Sequence, residues 1–219
     1  MNRSVMLLAA GRGERMGALT KETPKPLLIF KGKPLIVWHI EKLSAAGFTD
    51  IVINVSYLAE KIKEYLGNGS QWGVRIFFSD ENPVLETAGG IRKALPLLKS
   101  NPFLVINSDI YSDINYAELY KLNLPKSIEG LLFFVKNPLH NPAGDFLLGD
   151  DGVVMNDGMI KKTFSGIAIY RPDFFYDLPN NKFIKLSDVL KEKVEKRLIR
   201  GNLFNGLWID IGTPERLMS

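Results

Sequence analysis

Four charged residues stand where this chain could do chemistry on phosphate. Arg15 and Lys25 lie in LLAAGRGERMGALTKETPKPLL (Leu7 to Leu28), and Asp109 and Asp210 close the apolar runs FLVINSD and GLWID. In the first stretch, Gly11 and Gly13 remove side chains that would keep backbone N–H groups away from an anion. Arg15 offers a planar fork for phosphate oxygens. Lys25 sits between Pro24 and Pro26, which restrict the backbone on both sides. A cation held in place loses less entropy when it binds. Spacing alone leaves a second reading open, a glycine turn with solvated charges.

Two familiar phosphate loops are excluded on residues. The dinucleotide fingerprint needs a third glycine where Met16 stands, and Gly17 comes one residue late. The P-loop needs a second glycine at that same position and a following G-K-[ST], and neither is present. The two aspartates suit a hard cation such as Mg²⁺, which takes oxygen ligands and few carboxylates. Each ends an apolar strand pattern, and open α/β sheets gather ligands at strand C-termini. Asp109 alone fits a turn cap equally well. Asp210 lies between Ile209 and Ile211, where an unpaired buried carboxylate is costly, which favours a functional role.

The elements that must position these residues are legible as alternating patterns. SVMLLAA (Ser4 to Ala10), DIVINVS (Asp50 to Ser56), VRIFF (Val74 to Phe78) and FLVINSD (Phe103 to Asp109) read as buried strands. Between them, PLIVWHIEKLSAAG reads as a helix with Pro34 at its first position and Gly47 just past its end. LAEKIKEYL (Leu58 to Leu66) and ETAGGIRKALPLL (Glu86 to Leu98) read as two more. Strand and helix in alternation predict an α/β fold with a mostly parallel sheet and right-handed crossovers. After Glu129 the pattern changes. GLLFFV (Gly130 to Val135) and TFSGIAIYRP (Thr163 to Pro172) read as strands around loops rich in Pro, Asn, Gly and Asp. LSDVLKEKVEK (Leu186 to Lys196) reads as a helix, and GLWIDIGTPERL (Gly206 to Leu217) as strand, turn and short helix. The second half is expected to be a partly antiparallel layer on the same core. The chain is thus read as one domain, with one half at about residues 1–128 and another at about 129–219.

Composition bounds the function. With 219 residues the chain can bury a full core without staples. Having no cysteine, it excludes disulfides, thiolate zinc sites and cysteine nucleophiles. The apolar run Val5 to Ala10 is short and is followed by Arg12, Glu14 and Arg15, unlike a signal peptide. No run approaches the roughly 18 apolar residues of a membrane helix, so a cytoplasmic protein without a membrane partner is expected. The net charge is +4, with basic residues interleaved with acids as in LKEKVEKRLIR. That reads as a solvated helix face rather than a nucleic-acid surface, and a modest basic excess suits a phosphorylated small substrate.

LAAGRGERM followed by TPKPLL resembles the signature of the sugar-1-phosphate nucleotidyltransferases, a long gapped motif. LETAGGI resembles that family's base-contacting segment, INSD its metal-binding strand end, and FSGIAIYRP and WIDIGTPERL its sugar-side strand and closing segment. The resemblance covers essentially the whole chain. It departs at Arg12, where many relatives have Gly, at Ala18 in place of a proline, and at Ser108 where Gly is common. The E-K-P motif many hexose relatives use is absent, with KKTFSG near its place, which fits a different sugar.

The resemblance implies a Rossmann-like nucleotide-diphospho-sugar transferase fold with a small, partly antiparallel sugar-binding portion. It implies that Ala10, Gly11, Gly13, Glu14, Arg15 and Lys25 meet the nucleotide phosphates, and that the segment with Glu81, Thr87, Gly89 and Gly90 meets the base. Gly89 and Gly90 would let a helix start approach a flat ring, although one glycine could equally be a cap. Asn107, Gly144, Asp145, Thr163 and Trp208 go to the sugar phosphate. The pairing of Asp109 with Asp210 around Mg²⁺ also comes from the resemblance. Phe164 and Trp208 could pack on the sugar or be plain core.

The implied reaction is attack of a sugar-1-phosphate oxygen on the α-phosphorus of a nucleoside triphosphate, releasing pyrophosphate. The nucleophile is already anionic, so no general base is needed, and catalysis falls to positioning and positive charge. Arg15 is assigned the departing pyrophosphate and Lys25 the reacting phosphates. Within that family, the shortness of the chain, the spacing before the paired glycines, NPLHNPAGDF and TFSG resemble the members acting on N-acetylmuramate-1-phosphate. That resemblance implies UTP and N-acetylmuramate-1-phosphate as substrates, in peptidoglycan recycling. The sugar's lactyl carboxylate then needs a partner, with His140, Lys136 and Lys161 as candidates. The rivals are thymidylyl or uridylyl transfer to glucose-1-phosphate, guanylyl transfer to mannose-1-phosphate, and, in another class, a non-catalytic nucleotide-sugar-binding regulatory subunit. A monomer or small homo-oligomer is expected, and a single activity, without an appended acyltransferase.

Overall fold

The computed structural model describes residues 3–218. The first half runs β1 (Ser4–Leu8), β2 (Ile29–Phe30), β3 (Lys33–Pro34), α1 (Leu35–Ala45), β4 (Asp50–Val55), α2 (Ala59–Leu66), β5 (Arg75–Asp80), α3 (Glu86–Ala94), β6 (Phe103–Asn107), β7 (Ile110–Ser112) and α4 (Tyr116–Lys121). The second half adds β8 (Gly130–Val135), β9 (Phe146–Leu148), β10 (Val154–Met155), β11 (Lys161–Tyr170), α5 (Asp173–Tyr176), α6 (Leu186–Glu195), β12 (Ile199–Leu203), β13 (Trp208–Asp210) and α7 (Pro214–Leu217).

The main sheet is ordered β12–β8–β11–β6–β1–β4–β5, with β9 and β10 added along the start of β11. Strands β6, β1, β4 and β5 are parallel, and β11 runs antiparallel to both β6 and β8. The mostly parallel centre and the partly antiparallel second half are therefore as expected. The chain winds outward from β1 through β4 to β5, then returns to place β6 on the other side of β1. That reversal opens a crevice at the C-terminal ends of β1 and β6, where such sheets bind ligands.

Alternation along the central strands feeds two apolar layers. Val5 and Leu7 face α1, packing with Ile36, Ile40 and Leu43. Met6, Val52 and Val105 face the other way, onto Ala88 and Ile91 of α3 and Val189 and Leu190 of α6. Covered on both faces, these strands read as continuous apolar runs.

Boundaries shift where turns intervene. Pro34 is the N-cap of α1 rather than its first helical residue, because it still pairs with Ile29 in the β2–β3 ribbon. α2 begins at Ala59, one residue late, because Leu58 is left-handed at φ 50. The helix expected over Glu86 to Leu98 changes to a 3-10 turn at Leu95–Leu97, around Pro96. Among the described residues no helix is long and apolar enough to cross a membrane.

Candidate active site

The crevice at the β1 and β6 ends is a cavity of about 530 Å³. Ala10, Gly11, Gly13, Glu14, Arg15 and Lys25 line it from the loop after β1. Glu81 reaches it from just after β5, Glu86 and Thr87 from the first turn of α3, and Asn107 and Asp109 from the end of β6 and the turn after it. A smaller cavity of about 150 Å³ shares Arg15, Asn107 and Asp109 with the first and adds Phe164, Trp208 and Asp210.

The two cations differ in how they are held. Lys25 is buried and its Nζ donates to Asp109 Oδ2. Gly13, at φ +65, lets that lysine pack closely: a Cβ there would fall 3.1 Å from Lys25 Cβ. Arg15 is exposed on a 3-10 turn, and its Nη2 would stand 3.3 Å from a Cβ at Gly212, beside Asp210. Arg12, which had no assigned role, lies with its guanidinium 5.7 Å from the Tyr57 ring centre.

The two aspartates, far apart in sequence, meet on one ribbon. β13 pairs with β7, setting Asp210 opposite Ile110, and Ile211 N–H donates to Asp109 O at 2.8 Å. In this antiparallel pattern the Ile110 carbonyl points away from β13. His39 of α1 takes it, donating from Nε2 at 2.8 Å, while its Nδ1 accepts from Tyr116 Oη–H at 2.9 Å. Lys42, one turn on, donates to Ser112 O. Burial holds His39 neutral, its pKa pushed down to about 4, and burial likewise pushes the Tyr116 hydroxyl up. On the other side, Asp210 Oδ2 is 3.1 Å from His140 Nε2 and 3.2 Å from Arg216 Nη1.

Several expected contacts are placed differently. Gly89 and Gly90 line neither cavity. Their missing side chains make room for protein: a Cβ on Gly89 would lie 2.2 Å from Lys182 O, and one on Gly90 2.3 Å from Glu81 Oε1. Gly144, Asp145 and Thr163 also line neither cavity. Instead they brace the loop between β8 and β9. Thr163 Oγ1 donates to Asn137 Oδ1 at 3.0 Å and accepts from Asn141 Nδ2 at 3.2 Å. Asp145 accepts from Phe164 N–H at 2.8 Å and from Asn141 Nδ2 at 3.1 Å. Trp208 lines the smaller cavity, but its Nε1 is engaged with Ser165 O at 2.9 Å.

Three residues escaped the sequence reading. Asn54 accepts from Ala9 N–H at 2.9 Å and donates to Glu81 Oε1 at 2.7 Å, while Leu85 N–H donates to Glu81 Oε2 at 2.8 Å. The signal was an asparagine inside the apolar run DIVINV, costly there without partners. Gly166 lies against Asn107, whose Nδ2 would be 2.6 Å from a Cβ there. His39 gave no signal beyond being a histidine on an otherwise apolar helix face.

Fold and crevice define the class: an α/β protein of the nucleotide-diphospho-sugar transferase type. A solved structure of HddC from Yersinia pseudotuberculosis, complexed with GMP-PN, superposes with a TM-score of 0.80 over 99% of this chain and 96% of that one, at 24% identity. The chain belongs to the nucleotidyl transferase family, which matches residues 4–145. It is 48% identical over 217 residues to an N-acetylmuramate alpha-1-phosphate uridylyltransferase of Neisseria meningitidis serogroup B, covering 97% of this chain and 94% of that protein. It is 29% identical to the mannose-1-phosphate guanylyltransferase catalytic subunit beta of Drosophila melanogaster, covering 98% of this chain but 60% of that protein.

Proposed function

We propose that the chain transfers the uridylyl group of UTP to N-acetylmuramate-1-phosphate, releasing pyrophosphate and forming UDP-N-acetylmuramate for peptidoglycan recycling. The observation that carries this reading is the 48% identity to a uridylyltransferase for that sugar phosphate, spanning nearly all of both chains. The larger cavity takes the nucleotide and the smaller one the sugar. Residues 1–128 then serve mainly the nucleotide and residues 129–219 the sugar, with Arg15, Asn107 and Asp109 touching both. The cytoplasm is the proposed location.

The chain's own residues account for most of the chemistry. Gly11 and Gly13 leave backbone N–H groups open toward the triphosphate. Lys25, buried and fixed, meets the α-phosphate and the incoming phosphate, holding two anions in line. Arg15, exposed at the rim, follows the pyrophosphate as it leaves. The carboxylates of Asp109 and Asp210 suit Mg²⁺: they are all-oxygen donors, Asp109 in the turn just before β7 and Asp210 at the end of β13 paired to it, and two carboxylates plus phosphate oxygens match that ion's habit. When bound, the ion supplies charge neutralisation between the polyanions.

A pyrophosphate-release screen tests the reading, with four triphosphates set against a panel of sugar-1-phosphates in Mg²⁺, and a chelator control. Release is expected with UTP and N-acetylmuramate-1-phosphate and lost on chelation. Release only with GTP and mannose-1-phosphate would move the chain toward its 29% relatives. Silence with every pair would leave a binding protein.

A further inference from the structure

We infer that His140 reads the carboxylate-bearing substituent of the sugar phosphate; this rests on the proposed N-acetylmuramate substrate. That sugar differs from N-acetylglucosamine by a lactyl ether, so a protein selective for it needs a donor aimed at a second anion, away from the phosphates. Lys25 lines only the larger cavity, and Arg15, which lines both, is assigned to the departing pyrophosphate. Among polar groups near the smaller cavity, Trp208 Nε1 is engaged by Ser165 O. Asn107 Nδ2 is packed against Gly166.

His140 is already oriented toward a carboxylate. Its Nε2 lies 3.1 Å from Asp210 Oδ2; Asp210 lines the smaller cavity, and His140 itself, lining neither, reaches it beside that carboxylate. Arg216 Nη1 holds the same oxygen at 3.2 Å, so Asp210 keeps a partner when His140 turns to a ligand. The imidazole is about one-third exposed, which leaves it reachable.

The loop that carries His140 is built to hold it there. Asn137 Nδ2 donates to Pro142 O and to Lys161 O, both at 3.0 Å, closing the loop's base. Asn141, the next residue after His140, is tied to both Asp145 and Thr163. A short loop with this many side-chain bonds presents its histidine in a defined direction, which limits the entropy lost on binding.

The test is a competition. Wild type, His140→Ala and His140→Gln receive limiting UTP, Mg²⁺ and equal amounts of N-acetylmuramate-1-phosphate and N-acetylglucosamine-1-phosphate. Chromatography resolves the two UDP-sugars, and their ratio reports the ratio of kcat/KM values, cancelling any effect of His140 through Asp210 that both sugars share. Wild type is expected to favour the muramyl product. His140→Ala should lower that ratio roughly tenfold or more, through KM for the muramyl substrate, the size of one hydrogen bond to a charged group. His140→Gln, which keeps an N–H donor, should recover part of it. A ratio unchanged within about twofold in His140→Ala, whatever the total rate, overturns the assignment, being below what such a bond contributes. If wild type makes no muramyl product, the substrate reading has failed before any variant is compared, and this inference falls with it.

Discussion

The two flanks of the site are held in different ways. On the inner flank, Asp109 is backed by buried groups: Lys25 on its carboxylate, and His39 on the carbonyl of the next residue. Glu81, Asn54 and the end of β1 form a second buried network there. On the outer flank, Asp210 meets His140 on a loop of largely exposed residues braced by amide side chains. The inner flank would keep its geometry through binding and turnover, as phosphate chemistry requires. The outer flank, held by exposed bonds, gives way at lower cost. Buried hydrogen-bonded networks resist change because an orphaned polar group in low dielectric is expensive, whereas water can replace an exposed bond.

The largest expected effect breaks the inner flank. Lys25→Ala removes a fixed cation from the reacting phosphates and should lower kcat by about 100-fold or more. Circular dichroism should show the fold intact. Near-normal turnover would mean that Lys25 merely neutralises Asp109.

How far these flanks were legible in the sequence follows from where their partners lie. The parallel strands were readable because burial on both faces writes a continuous apolar run, and GLLFFV was found to the residue. The loop after β1 was readable because its glycines, cations and prolines are contiguous. The β7–β13 pairing was not, because it joins residues from the middle and the end of the chain. Gly89 and Gly90, expected beside the base, show a related effect. A missing side chain signals close approach, but sequence does not say whether ligand or protein approaches, and here it is Lys182 and Glu81. Gly144, Asp145 and Thr163, expected at the sugar phosphate, lie in or against the loop between β8 and β9, and Asp145 and Thr163 brace it.

His39 gives the next largest effect, on stability. Its folded pKa is depressed to about 4 by burial, from an ordinary 6.5. The unfolded chain therefore takes up a proton first as pH falls. The stability this neutral histidine contributes is full above about pH 6.5 and is lost between there and about pH 4, roughly 3 kcal/mol in all. Urea midpoints of wild type and His39→Gln across that window should converge on acidification, the variant having no such slope. Parallel curves would show that His39 does not titrate as its burial dictates.

Paired glycine substitutions sharpen the contrast. An alanine at Gly90 would press on Glu81 Oε1, which Asn54 and Leu85 hold in place, and should cost about 2 kcal/mol. An alanine at Gly144 meets Lys161 backbone at 2.8 Å with φ +68, but in a loop whose exposed amide bonds water can replace as it gives way, and should cost about 1 kcal/mol. Urea titration of both variants measures the difference. Equal losses would erase the distinction between a rigid inner and an adjustable outer flank.

The smallest effect is the most selective. Asn141→Ala removes the ties to Asp145 and Thr163 without touching a cavity. Water replaces those bonds, so stability should change by less than about 1 kcal/mol. His140 then samples more directions, and KM for the sugar phosphate should rise about threefold to fivefold, the size of a lost orientation rather than a lost contact. KM for UTP should stay put, since the triphosphate side rests on the inner network. Steady-state kinetics with each substrate varied in turn separates the two. A matched rise in both constants would show that the flanks are coupled through the Asp109–Asp210 ribbon, and that the outer loop supports the whole site rather than the sugar alone.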